Sequence, residues 1–310
     1  MAANVETMFY VREVPWHGLG TQVDEALDSK DALRISGLDW KVTQESIYMS
    51  SGEVITNYKV NVRETDKQVL GVVSDRYQIV QNEEAFAFTD ALLGEGVKFE
   101  TAGSLQTGKK IWLLAILPDK YKILGEDINP YLVFSNAHDG MGSIKICMTP
   151  IRVVCQNTLN IALSNANRTW STKHIGNIQN KLYEAQRTLQ QADNYMKKLN
   201  DEFEELYMIK LTDEKVNKFI NDLIEMPKGA SDLQMKNVNY LRNDLRTRYF
   251  EAPDLKVIDN NGYRLISAVS DFATHVKPLR TTKTYGENLF IKTIEGNPVI
   301  DKAYEMLKAA

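Results

Sequence analysis

From Ile178 to Leu206 the apolar residues Ile178, Leu182, Ala185, Leu189, Ala192, Met196, Leu199, Phe203 and Leu206 recur at spacings of 4, 3, 4, 3, 4, 3, 4 and 3. Four heptads of this kind place every apolar side chain on one stripe of a helix and on neither face of a strand. The spacing predicts one helix over about 176–206, roughly 45 Å long at 1.5 Å per residue. Leu182, Leu189, Met196, Leu199 and Phe203 are its candidate oligomer seam. The same stripe also suits burial against the chain's own helices, because a core-facing stripe and a coiled-coil seam look alike in sequence.

Before residue 155 the period is two. Val54–Arg63 alternates, Val69–Val73 and Tyr77–Val80 continue the pattern, and Lys110–Leu117, Tyr131–Ser135 and Ser143–Cys155 are apolar runs bounded by turn residues. Asp139-Gly140 between two such runs is a hairpin signal. Asn82, followed by Glu83 and Glu84, predicts the start of a helix that Gly94 ends. After residue 206, Thr212, the Ser231…Gln234 capping box and Pro298 in a first turn open further helices. The chain reads as α+β: an antiparallel, β-rich half over 1–175 with one helix, and a helical region over 176–310 packed on it.

Composition narrows the function classes. A formal charge of −4 gives the whole chain no attraction to nucleic acid. The charge is unevenly spread, however. Between Gly140 and Lys198 the bases are Lys145, Arg152, Arg168, Lys173, Lys181, Arg187, Lys197 and Lys198, against Glu184 and Asp193 alone. Eight minus two makes this window +6, so the remainder carries −10. No run approaches the roughly 18 apolar residues that span a bilayer, and no secretory signal is visible at the start. With two cysteines, Cys147 and Cys155, the chain reads as a reduced, cytoplasmic protein.

Motifs for cofactors and metals are missing from the sequence. His17, His138, His174 and His275 show no ligand spacing, and there is no P-loop, dinucleotide fingerprint or nucleophile elbow. No metal and no cofactor is therefore expected. Arg152 interrupts an apolar strand, so its guanidinium must reach solvent, phosphate or a carboxylate such as Asp139. Arg152, Arg168, Trp170, Lys173, His174 and Lys181 are the candidate nucleic-acid-binding residues, with Trp170 in a polar loop where its ring suits either stacking on a base or burial in the core. His138 and Asp139 form the candidate turn.

Several segments also resemble a known family. Pro15-Trp16-His17-Gly18-Leu19-Gly20, Asp75-Arg76-Tyr77-Gln78-Ile79-Val80-Gln81-Asn82, Ser135-Asn136-Ala137-His138-Asp139-Gly140, Thr149-Pro150-Ile151-Arg152-Val153-Val154-Cys155-Gln156-Asn157-Thr158-Leu159 and Lys173-His174 look like the signature of the phage/plasmid-like proteins called domain of unknown function 932. The resemblance implies a phage or mobile-element protein in the host cytoplasm and assigns no activity. Three readings remain open. The first is an oligomeric nucleic-acid-binding protein, of the single-strand-binding or annealing type. The second is a protein-interaction or anti-defence factor that contacts a host protein. The third is an enzyme in which His138, Asp139, Arg152, Cys155 and His174 converge.

Overall fold

The computed structural model describes residues 5–11, 20–94, 97–117, 121–152, 169–176, 192–280 and 297–309, together with Lys181, Glu184, Ala185 and Arg187. The architecture is α+β. Its strands are β1 (Val5–Val11), β2 (Thr21–Val23), β3 (Val42–Tyr48), β4 (Val54–Arg63), β5 (Val69–Ser74), β6 (Lys98–Leu105), β7 (Lys110–Ile116), β8 (Tyr121–Ile123), β9 (Glu126–Ala137), β10 (Ile144–Arg152) and β11 (Thr169–Thr172). They form two sheets. The large one runs β11-β10-β9-β7-β6-β1-β2, with β8 on the far part of β9, and the small one runs β3-β4-β5. Among the described residues all pairings are antiparallel except β1 with β2.

The period-two reading places most of these strands. The expected hairpin at Asp139-Gly140 joins β9 to β10, with Lys145 opposite Ser135. Gly140 there has φ +75, in the left-handed region that glycine adopts at little cost. Three segments differ from expectation. The described residues before Asp39 hold β1, β2 and the helix α1 (Ser29–Ile35), so with α2 (Asn82–Leu93) the first half has two helices among its described residues. Tyr77–Val80 pairs with no strand among the described residues, because the Gln78 amide bonds the His174 carbonyl while the His174 and Asn136 side chains take the carbonyls of Gln78 and Val80. Trp170 lies on strand β11, opposite Ile146, and not in a loop.

The helical half comprises α3 (Ala192–Met208), α4 (Asp213–Leu223), α5 (Asp232–Glu251), α6 (Pro253–Lys256), α7 (Gly262–His275) and α8 (Pro298–Lys308). Thr212 caps α4, the Ser231/Gln234 box opens α5, and Pro298 begins α8, as the caps predict. α7 is buried along most of its length, so the other helices are arranged around it. Met196, Leu199 and Phe203 are buried in this helical core with Val216, Leu245, Tyr263 and Val269. For these three residues of the candidate seam, the stripe is buried within the chain's own core. Leu182 and Leu189 lie outside the described residues.

A first core sits between the large sheet and helices α1 and α2, around Phe9, Phe86, Phe99, Leu113 and Phe134. Ala185 is buried in it as well. The second core is helical but includes Ile128 of β9 and Met148 of β10, which tie the two halves together.

Candidate functional site

Where the small sheet meets the end of β9, the chain buries a cluster of polar side chains. Gly71 of β5 makes the approach close: a Cβ there would stand 2.4 Å from the carbonyl oxygen of Asp139 and 2.6 Å from its Cα. The adjoining strand supplies Asn61, whose amide donates to the His138 carbonyl at 2.7 Å. Tyr77 donates its hydroxyl to the Ala137 carbonyl at 2.7 Å and stacks on His174 at 4.4 Å between ring centroids. Trp40 meets the His138 ring edge-on at 5.5 Å. Trp40 also carries the Arg63 guanidinium over its ring, and that guanidinium bridges Glu6 and Asp66.

The unpaired segment 77–82 organises the cluster. His174 Nδ1 bonds the Gln78 carbonyl at 3.0 Å, Asn136 Nδ2 donates to the Val80 carbonyl at 3.1 Å, and His138 Nε2 bonds Asn82 Oδ1 at 3.0 Å. Three side chains thus grip alternate residues of one segment. Asn82 is the first helical residue of α2 and not its cap, a role Gln81 takes. The Asn82 side-chain amide is turned inward, donating to the Leu38 carbonyl at 2.9 Å.

Asn136, His138 and His174 are 2%, 0% and 3% exposed. Each leaves one buried atom, Asn136 Oδ1, His138 Nδ1 and His174 Nε2, without a hydrogen-bond partner among the described residues. Burial pushes His138 down to about 3, helped by the nearby His174, because a charged ring loses its hydration there. His174 is likewise lowered, first by burial, while its bond to Gln78 opposes the shift. Both rings are neutral at pH 7.

The candidate residues of the sequence distribute unevenly. His138 and His174 are brought together. The Asp139 carboxylate accepts from the Met141 amide at 2.8 Å within the turn. Lys173 is exposed, whereas Lys181 donates its ammonium to the carbonyls of Lys173 and Ile175 at 3.1 and 2.7 Å. Trp170 is half-buried against the first core. Arg152 ends β10, and its side chain, with Arg168 and Cys155, falls outside the described part of the chain. Asn61, Tyr77, Asn82 and Asn136 join the site without having been singled out as functional residues. Their only trace in the sequence is that Tyr77, Asn82 and Asn136 belong to the family-like segments.

Among the described residues no three of His, Cys, Asp and Glu gather as a metal-ligating group. No helix among them is long and apolar enough to cross a membrane. A family model described as "Domain of unknown function (DUF932)" matches residues 69–291. No curated protein and no solved structure matches the chain.

Proposed function

Since the chain belongs to the family described as domain of unknown function 932, which names no activity, we propose from its own residues that it binds nucleic acid. The reading is of an oligomeric single-strand-binding or annealing-like protein of a phage or mobile element. One observation carries it. The cations Lys173, Arg187 and Lys197 of the basic window are exposed and take part in none of the ion pairs among the described residues. Several cations elsewhere are neutralised by carboxylates. Arg63 bridges two carboxylates, Arg248 bridges Asp244 and Asp271, and Lys308 bridges Glu202 and Glu205. Unneutralised cations on an acidic body are a local attraction for phosphates, with counterion release as the driving term.

A labelled oligonucleotide titrated at about 50 mM and about 200 mM salt tests this. Binding is expected at the lower salt and a steep loss at the higher. The triple variant Lys173→Glu, Arg187→Glu, Lys197→Glu should keep its circular dichroism and lower the salt slope by about 2 to 3. No binding at low salt, or a variant that binds as well as the parent, ends the proposal.

A second reading, protein interaction, draws on a different surface. Tyr48, Val54, Tyr58, Val69 and Val72 of the small sheet are each about half exposed or more. Apolar residues grouped in this way commonly mark a contact with another protein. Tyr58→Ser with Val72→Ser should then change partner capture or oligomeric mass and leave oligonucleotide affinity untouched.

A further inference from the structure

The hydrogen bonds around segment 77–82 fix what the three unpartnered atoms offer. A carbonyl only accepts, so His174 Nδ1 carries the proton toward Gln78 and Nε2 is left as a bare lone pair. The Asn82 amide donates to Leu38, which makes Asn82 Oδ1 the acceptor for His138 Nε2–H. His138 Nδ1 is then a second bare lone pair. Asn136 donates its amide to Val80, leaving Oδ1 as the third. All three are more than nine-tenths buried, and no donor among the described residues reaches them.

Buried acceptors left this way are costly, so three side chains held by one segment call for a guest that brings them protons or positive charge. We propose that His138, His174 and Asn136 form a binding site for a single divalent late transition-metal ion of the zinc class. Neutral imidazole is the ligating form of histidine. In metal sites the other ring nitrogen usually donates to a carbonyl or carboxylate, which fixes the tautomer and aims the free nitrogen. His174 does this with the Gln78 carbonyl and His138 with the Asn82 amide oxygen. An amide oxygen completes the set where a carboxylate would be usual, which is why the spacing of His, Cys, Asp and Glu gives no hint of it. The Tyr77 ring on His174 and the Trp40 edge on His138 hold both imidazoles in place.

The test uses the full chain stripped with chelator and titrated with Co²⁺ and Zn²⁺. Close to one equivalent should bind, with visible Co²⁺ absorption and shifts of the His138 Nδ1 and His174 Nε2 resonances in ring nitrogen NMR. His174→Gln should weaken the metal at least tenfold. Asn136→Asp, which adds a negative ligand, should bind it more tightly, and metal should restore any lost thermal stability. The proposal is overturned by no uptake at about 100 μM metal, the weak end of the range expected of a specific site. Uptake that both substitutions leave unchanged also overturns it, as does an Asn136→Asp variant whose stability ignores metal. Because oligonucleotide binding is measured separately, failure here leaves the nucleic-acid proposal standing, and the reverse holds.

Discussion

His138 shows how one buried ring makes stability depend on pH. In the unfolded chain it takes up a proton near 6.5, whereas in the fold it stays neutral down to about 3. Between those values the unfolded state binds a proton that the native state refuses. The contribution is complete above pH 6.5 and is lost as the pH falls toward 3. The full difference is on the order of 5 kcal/mol. In chelator, urea midpoints should therefore fall steeply from pH 7 to pH 4.5. His138→Gln, which has nothing to protonate, should flatten that slope, and an equal slope in both proteins would refute the assignment. Sequence reading singled out His138 and His174 but gave them roles in catalysis or phosphate contact. Their burial was not legible, because it depends on Gln78, Val80 and Asn82 closing over them from a distant part of the chain.

Secondary-structure elements were more readable than single sites, and the failures have physical causes. Caps at Thr212 and Ser231 are local, since a side-chain oxygen meets a backbone amide three residues on, so sequence suffices. Tyr77–Val80 alternates like a strand, yet its carbonyls bond side chains from β9 and from the segment after β11. Alternation reports two-sidedness and does not identify the partner. The heptad stripe has the same ambiguity, and for α3 it resolves inward, with Leu199 and Phe203 each 0% exposed. Leu199→Ala should accordingly cost about 2–5 kcal/mol of unfolding free energy whatever the protein concentration. A loss that appears only on dilution would instead mark Leu199 as an interface residue.

At the scale of the whole molecule, the question is whether the two cores unfold together. Trp40, Trp112 and Trp170 all pack on the sheets of the N-terminal half, so their fluorescence follows the sheets. Circular dichroism near 222 nm is dominated by helix, and most of the helix is C-terminal. Ile128 and Met148 stand on the large sheet but are buried among the helical side chains, 0% and 1% exposed. Two apolar side chains buried across such a junction contribute about 3–6 kcal/mol of coupling. That is a large fraction of the stability of an ordinary domain. Fluorescence and dichroism should hence trace one coincident transition in urea. Met148→Asp places a carboxylate in that junction with no partner, which β10 cannot relieve without losing its pairing to β9. The two signals should then separate, the helical one giving way first because its core has lost the sheet it rests on. If the parent already shows two separate transitions, the junction is not what makes this chain one folding unit.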